Sequence, residues 1–208
     1  MSPPLYPLFL SLRGRTCVVV GGNEIAEAKV RDLLAAETKI RLIAPVVTAQ
    51  IGRWSQAGLL QWEARIFQSG DLRGAFLVVS VAGTETNAKV FEEAEAQQTL
   101  CNAVDDIEHC NCYASAVVRR GPLQIAISTS GNSPALAQRL RRQLEEQFGQ
   151  EYGPWVRRLG ELRRRLLHNK EIDAQTRRRI LQQQASPSAL EISRNSQTRE
   201  RSTLIQGS

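Results

Sequence analysis

The first hundred residues alternate between short apolar runs and amphipathic stretches. The run TCVVV (16–20) is rich in β-branched residues and ends at two glycines, after which apolar residues from Ala26 to Leu34 recur at helical spacing. The runs KIRLIAP (39–45) and AFLVVSVA (75–82) predict two more strands, and the second is apolar enough to be buried on both faces. This pattern predicts a parallel α/β sheet that opens with a strand, a glycine turn and a helix.

One further helix and one further strand are predicted before the pattern changes. Thr84 can cap a helix that continues to about Gln97, and TLCNAV (99–104) predicts a strand that ends at Asp105. Open α/β sheets bind ligands at the carboxyl ends of their strands. The sequence therefore places Asp105 at a ligand-binding edge.

Beyond residue 113 the chain no longer alternates between strands and helices. The stretch ASAVVRRGPLQIAIS (114–128) predicts an antiparallel hairpin. The polar stretch STSGNSP then leads into a helix with Ser133 at its N-cap and Pro134 at its first position. A second amphipathic helix is predicted to begin near Pro154.

Composition narrows the class of protein and its compartment. A chain of 208 residues with 42% hydrophobic residues can form one substantial domain and a smaller appendage. The apolar start of the chain is short and is broken by Pro4 and Pro7, so we expect no signal peptide, no membrane span and a cytoplasmic location. The 4 cysteines are too few for a disulfide scaffold, and we expect reduced thiols.

The net charge of +6 is concentrated in the C-terminal third of the chain. Residues 139–182 contain 12 Lys and Arg against 6 Asp and Glu, whereas the rest of the chain is balanced at 15 of each. Such a surplus can face nucleic acid, a membrane surface or a polyanionic small molecule. Nucleic acid is the poorest of these partners, because aromatic residues make up only 5% and no recognition motif occurs.

The glycine turn (residues 21–23) contains part of a dinucleotide-binding fingerprint. Gly21 and Gly22 let the backbone approach a pyrophosphate at a helix N-terminus, but Asn23 stands where the motif has its middle glycine, and Ala26 suits the last position. The second strand ends without an acidic residue for the ribose. These residues alone leave two interpretations open, a cofactor site and a purely structural turn. The candidate cofactor-binding residues are Gly21, Gly22, Asn23, Glu24, Ile25, Ala44 and Pro45.

The stretch HCNC (109–112) contains three potential metal ligands. Its Cys-x-Cys spacing beside one histidine does not match the common structural zinc sites, and a second ligand pair is missing. We therefore predict no metal site in this chain.

Four distinctive stretches follow one another over about residues 5–167: YPLFLSLRGRTCVVVGG, CNAVDD, VVRRGPLQIAIST and GNSPALAQRLRRQLE. In sequence and spacing they resemble the precorrin-2 dehydrogenase and sirohydrochlorin ferrochelatase family, which forms the N-terminal module of siroheme synthases. The resemblance implies oxidation of precorrin-2 to sirohydrochlorin with NAD, often followed by insertion of ferrous iron, in a homodimer.

The resemblance also implies a domain organisation for the predicted elements. Residues 1–113 are expected to form a Rossmann-like NAD-binding domain, 114–149 a dimerisation segment that holds the β-hairpin and its helix, and 150–185 a small C-terminal helical domain. Residues 186–208 are rich in Ser, Gln, Thr and Arg, and we expect a disordered tail there.

Functional residues can be carried onto this chain through the same motifs. The family's catalytic aspartate falls on Asp105, whose carboxylate could accept protons during dehydrogenation and metal insertion. The structural alternative is that Asp105 and Asp106 only cap a loop. The family's substrate is a polycarboxylate tetrapyrrole, which basic and hydroxyl side chains can bind. The candidate substrate-binding residues are Ser128, Thr129, Ser130, Asn132, Ser133, Arg119, Arg120, Arg139 and Arg142.

Several positions depart from the family pattern. Asn23, Glu37 and Ser130 stand where the family usually has glycine, and SVAG (80–83) replaces AATD. The alternative function is therefore a non-catalytic paralogue that binds a nucleotide or a tetrapyrrole. The sequence leaves open whether iron, cobalt or nickel is handled.

Overall fold

A five-stranded parallel sheet is the centre of the first of two units, Met1–Ala114, in the computed structural model, which describes residues 5–186. The strand order is β3-β2-β1-β4-β5, as in a Rossmann-like α/β fold, so the predicted fold class is confirmed. The strands are β1 (Thr16–Val20), β2 (Lys39–Ile43), β3 (Gln61–Glu63), β4 (Leu77–Ser80) and β5 (Leu100–Ala103). The helices are α1 (Glu24–Ala35), α2 (Ala49–Gln56) and α3 (Thr84–Ala96).

The middle strand β1 is buried because helices cover both faces of the sheet. Its residues 17–20 are each at most 2% exposed. Cys17 and Val19 belong to the same apolar cluster as residues of α1, whereas Val18 and Val20 belong to a cluster with Val90 of α3. Successive side chains of a strand point to opposite faces, so α1 and α3 pack on opposite sides of the sheet.

The carboxyl ends of β1 and β4 form the place at the sheet edge where a ligand can bind. From β1 the chain continues to β2 on one side, and β4 pairs with the other side of β1. The connections that follow β1 and β4 therefore diverge at this edge. Open α/β sheets bind their ligands at such a switch point.

Some local predictions for the first unit were wrong or incomplete. Helix α3 begins at Thr84 itself, its N-cap residue is Gly83 at φ 90°, and no side chain caps it. The prediction that Thr84 caps this helix is therefore wrong, because Thr84 is already inside the first turn. Helix α2 and strand β3 were not predicted, since β3 is only 3 residues long and carries no readable alternation.

The second unit, Ser115–Ser208, contains a hairpin and three helices among its described residues. The antiparallel hairpin is confirmed, and Ser133 and Pro134 begin the next helix as predicted. The following helix begins at Tyr152 rather than at Pro154, and a last helix capped by Asp173 was not predicted. The elements are β6 (Ala116–Arg120), β7 (Leu123–Ile127), α4 (Pro134–Gln147), α5 (Tyr152–His168) and α6 (Ala174–Gln184).

The predicted tail, residues 186–208, lies outside the described residues except for Ser186. In the part of the chain that is described, no helix is both long and apolar enough to cross a membrane.

Candidate functional site

The two glycines of the glycine turn are required by close packing between strand ends. Gly21 has φ 113°, and a Cβ atom added there would lie 2.5 Å from Cγ2 of Val81, which follows β4. A Cβ atom on Gly22 would collide with the carbonyl oxygen of Val46, which follows β2. The turn thus draws the chain segments after β1, β2 and β4 together at the carboxyl edge.

Asn23 caps helix α1 with its own side chain. Its backbone is extended, with φ −80° and ψ −174°, and its Oδ1 accepts a hydrogen bond of 3.0 Å from the backbone N–H of Ala26. Asn23 therefore does not adopt the left-handed conformation, which asparagine tolerates better than most residues. The cap occupies one of the donors that a bound anion would use. The N–H groups of Glu24 and Ile25 lie in the first turn, where the helix itself offers them no acceptor.

The residues after β2 present an apolar surface beside this turn. Ala44 is 2% exposed, and its carbonyl accepts a hydrogen bond of 2.9 Å from Nε1 of Trp62, whereas Pro45 is exposed. Val46 is 77% exposed and Ile25 is 44% exposed. Val46 was missed in the sequence, because an isolated valine after a strand carries no signal of its own.

Asp105 lies in the aspartate loop (residues 104–110), which follows β5 at the same edge of the sheet. Its side chain is exposed, and its backbone is left-handed at φ 60°. Asp tolerates this conformation better than most residues because its short polar side chain can hydrogen-bond locally. The sequence predicted Asp105 at the carboxyl end of this strand, and the structure adds that its side chain is exposed there.

Asp106 differs sharply from its neighbour. Its Oδ2 accepts a hydrogen bond of 3.1 Å from Nδ2 of Asn87, and its Oδ1 lies 2.8 Å from Nδ1 of His109. Partial burial would raise the pKa of Asp106, but the hydrogen bonds from Asn87 and His109 outweigh it and lower that pKa below its ordinary value. Asp106 therefore stays ionised and engaged within the protein.

The stretch HCNC anchors the aspartate loop to β5. The Sγ atom of Cys110 lies 3.2 Å from the N–H and 3.1 Å from the carbonyl oxygen of Ala103. The side chain of Asn111 accepts from the N–H of Cys101 at 2.6 Å and donates to the carbonyl of Thr99 at 3.0 Å. Asn111 thus pairs with the edge strand as a neighbouring strand would.

The cysteines near this loop have the properties of packed thiols. Burial raises the pKa of Cys101 to about 12 and that of Cys112 to about 11, so both are protonated at neutral pH. Within residues 5–186, no group of three or more His, Cys, Asp or Glu side chains could hold a metal ion.

The polar loop that precedes α4 is organised by its own side chains. Ser128 Oγ accepts from the N–H of Ser130 at 3.1 Å, and Thr129 Oγ1 accepts from the N–H of Ser133 at 3.2 Å. Ser133 Oγ caps α4 by accepting from the N–H of Leu136 at 3.2 Å, and Asn132 Nδ2 donates to the carbonyl of Thr129 at 2.9 Å. Ser130 is left-handed at φ 51°, at a position where the family pattern has glycine.

The candidate arginines of the second unit fall into two groups. The guanidinium of Arg120 donates to the carbonyl oxygens of Phe148 at 2.7 Å and Glu145 at 2.9 Å, which satisfies the carboxyl end of α4. This contact accounts for Arg120 without a ligand. Arg119, Arg139 and Arg142 are exposed.

Two family models match consecutive parts of the chain. A model described as "Putative NAD(P)-binding" matches residues 8–116, and one described as "Sirohaem biosynthesis protein central" matches residues 120–147. The first match covers half of the chain and defines its class, an NAD(P)-binding α/β protein.

Curated relatives and a solved structure refine this class. Siroheme synthase 1 of Aeromonas hydrophila is 37% identical over 161 residues, which are 77% of this chain and 35% of that protein. Siroheme synthase of Photorhabdus laumondii is 33% identical over 180 residues, or 86% of this chain and 38% of that protein. The solved structure "SirC, precorrin-2 dehydrogenase" aligns with a TM-score of 0.77 and 27% identity over 97% of this chain and 98% of that chain.

The chain belongs to the family of the siroheme-synthase N-terminal module, as its four sequence motifs predicted. It spans about a third of the length of the curated relatives that it matches. The family match supports a nicotinamide cofactor for the first unit.

Proposed function

We propose that this protein oxidises precorrin-2 to sirohydrochlorin with NAD in siroheme biosynthesis. The observation that carries the proposal is the exposed carboxylate of Asp105, which follows β5 at the carboxyl edge where the NAD(P)-binding fold receives its ligand. The alignment with a protein named precorrin-2 dehydrogenase over nearly the full length of both chains supports the same reaction.

The glycine turn and the start of α1 would hold the dinucleotide. Gly21 and Gly22 let the turn pack closely against the segments after β4 and β2, and the N–H groups of Glu24 and Ile25 then lie at the positive end of the helix dipole. Pro45 and Val46 are exposed and would border the dinucleotide, whereas Ala44 is buried and would support them without touching it. Bound NAD would supply a hydride acceptor.

Asp105 would handle the proton that accompanies the redox step. Dehydrogenation removes two protons and two electrons: one proton leaves with both electrons as hydride, which NAD accepts, and the other leaves as a free proton. A carboxylate in contact with the macrocycle can accept that proton as a general base. Its exposed position suits this role better than that of Asp106, whose two oxygens are already hydrogen-bonded.

Insertion of ferrous iron is a second step that the same carboxylate can assist. A metal ion enters the macrocycle as the pyrrole nitrogens lose their protons, so a general base is needed again. Iron is here a substrate that becomes part of the product, and the protein need not hold it on a resident metal site.

The basic second unit would bind the carboxylates of the tetrapyrrole. Arg119, Arg139 and Arg142 are exposed cations suited to carboxylate recognition, and the loop 128–133 adds hydroxyl groups before a helix N-terminus. We expect Arg120 to serve the fold instead, because its guanidinium is engaged with backbone carbonyls.

We also infer that the protein is a homodimer in the cytoplasm. Leu136 and Leu140 of α4 are 46% and 36% exposed, and of the hairpin residues only Val118 is buried, so the segment 114–149 offers apolar surface to a second copy. Light scattering should give a dimer mass at micromolar concentration, and a monomer mass would contradict this inference.

The cytoplasmic location is supported by the 4 free cysteines, which suit a reducing compartment.

An anaerobic assay with precorrin-2 and NAD, followed by absorbance, tests the proposed reaction. Formation of sirohydrochlorin together with NADH supports it, and addition of ferrous iron to the same mixture tests the insertion step. If neither product forms while NAD or the tetrapyrrole still binds, the protein is a non-catalytic binding paralogue.

A further inference from the structure

A chain of polar side chains runs from the centre of the sheet to the aspartate loop. It begins at Ser80, at the carboxyl end of β4, which is fully buried, and continues through Asn87 of α3, which is 2% exposed. Ser80 Oγ donates to Oδ1 of Asn87 at 2.6 Å. Buried polar groups are almost always hydrogen-bonded, so the side-chain N–H groups of Asn87 also need an acceptor.

The bond from Ser80 sets the orientation of the Asn87 amide. Since its Oδ1 faces the hydroxyl, its Nδ2 faces the carboxylate of Asp106 and donates to Oδ2 at 3.1 Å. A carboxylate only accepts hydrogen bonds, so this is the one orientation that satisfies both contacts. The signal for this residue is present in the sequence, because Asn87 shares the buried face of α3 with Val90 and Ala94.

His109 holds the other oxygen of the same carboxylate. Its Nδ1 lies 2.8 Å from Oδ1 of Asp106, and because that oxygen is an acceptor, Nδ1 is the protonated nitrogen. The edge contact with the ring of Phe91, at 5.9 Å between ring centroids, fixes the imidazole from α3. Asp106 is therefore held from two elements, α3 and the 3-10 helix Ile107–His109.

Asp105 lies immediately before this fixed carboxylate and immediately after Val104, whose N–H donates to the carbonyl of Ser80 at 2.8 Å. Its left-handed backbone is a conformation that most residues avoid and that persists where the surroundings hold it. A loop held at both flanking residues fixes the backbone of Asp105, and with it the region in which the exposed carboxylate can lie.

We propose that Asn87 and His109 are positioning residues, which act through the Asp106 carboxylate to hold Asp105 at the substrate. Ser80 supports them by orienting the Asn87 amide. The inference rests on the proposed function, because these residues can affect the reaction only if Asp105 takes part in it. Together, these four residues (Ser80, Asn87, Asp106 and His109) form a clamp on the aspartate loop.

The test compares His109→Ala and Asn87→Ala with the wild type in the anaerobic precorrin-2 assay. A displacement of about 1 Å at a reacting group can lower a rate by roughly 100-fold, so we expect kcat to fall by that order while KM for NAD is unchanged. His109→Asn should restore most of kcat, because its side-chain N–H can take the place of Nδ1–H. Glu108→Ala, an exposed neighbour on the same 3-10 helix, should behave as the wild type.

Folding is checked by the thermal midpoint and by NAD binding of each variant. If folded His109→Ala and Asn87→Ala keep the wild-type kcat, the inference is wrong. It is also wrong if His109→Asn loses as much kcat as His109→Ala, because the hydrogen bond to Asp106 would then not matter.

A double variant separates this inference from the proposed function. In the Asp105→Ala background, His109→Ala should cause no further loss, because a positioning residue acts only through the group that it positions. A further loss of full size would show that His109 acts independently and would overturn the inference. If Asp105→Ala slows the reaction and the clamp variants do not, the inference fails alone; if Asp105→Ala keeps the wild-type rate, the role of Asp105 in the proposed function fails first.

Discussion

The glycine turn and the aspartate loop follow two strands of one sheet and reach the same edge, but they are shaped by different forces. The glycine turn depends on missing side chains, since Gly21 and Gly22 lie where a Cβ atom would collide with the segments after β4 and β2. The aspartate loop depends on side chains that are present, because Asn87 and His109 bind Asp106 and Cys110 binds Ala103.

This difference teaches how each segment tolerates change. A steric requirement is local and strict, so any side chain at Gly22 displaces backbone. A hydrogen-bonded loop is shared among several elements, so each bond can be removed separately and its effect measured. It also explains why the glycine turn can be predicted from adjacent residues, whereas the contacts that Asn87 and His109 make with the aspartate loop cannot.

The largest effect is expected at Asp105. Asp105→Ala should preserve the fold and NAD binding but lower sirohydrochlorin formation by about 100- to 10,000-fold, the usual loss on removal of a general base. Asp106→Ala should cost less, because Asp106 acts on its neighbour and not on substrate. Anaerobic turnover of both variants checks this. Loss of activity in Asp106→Ala alone would move the catalytic role by one residue, and wild-type rates in both would make the pair structural.

The next-largest effect is expected on stability, at Gly22 of the glycine turn. Gly22→Ala should lower the free energy of unfolding by roughly 2–3 kcal/mol, because the new Cβ atom would collide with the carbonyl of Val46 and lie 2.9 Å from Cγ1 of Val47. Gly52→Ala in α2 is the control, since its Cβ atom would meet nothing within 4 Å, and it should not destabilise. Urea denaturation measures both. Unchanged stability of Gly22→Ala would mean that packing does not require this glycine.

A smaller effect is expected where the glycine turn meets the cofactor. Asn23→Gly frees the N–H of Ala26 from its cap and should tighten NAD binding by roughly tenfold, as expected for one more hydrogen bond to a charged group. Calorimetry measures the affinity. Ser133→Gly removes the equivalent cap from α4 and should leave NAD binding unchanged. If neither the wild type nor Asn23→Gly gives heat with millimolar NAD, the cofactor assignment is lost and the non-catalytic paralogue takes its place.

The smallest effect tests the cost of a left-handed residue outside the site. Glu37 follows α1 at φ 55°, where the N–H groups of Glu37 and Thr38 bind the carbonyls of Leu34 and Leu33. Glu37→Gly should raise the free energy of unfolding by roughly 1 kcal/mol relative to Glu37→Ala, because glycine adopts this conformation without strain. Both variants lose the exposed ion pair with Arg13, so their difference isolates the backbone. Equal stabilities would show that the position carries no strain.

Most of the first unit could be predicted from hydrophobic periodicity. Strands β1, β2, β4 and β5 are apolar runs because both faces of a parallel sheet are buried, and α1 and α3 show the matching helical spacing. Strand β3 was missed because three residues at the sheet edge need little apolar surface. In the second unit, α6 was missed because none of its described residues is fully buried, which leaves its apolar pattern weak.

The sequence by itself determined the fold class, the family and the position of Asp105 after a strand, because these depend on residue order and on local periodicity. Only the tertiary structure decided which contacts hold the residues next to Asp105. Asn87 and Asp106 are 19 positions apart and touch only because α3 and β5 are adjacent in the folded unit. The conformation of Asn23 was likewise decided by the fold, since an N-cap forms only where the chain enters a helix.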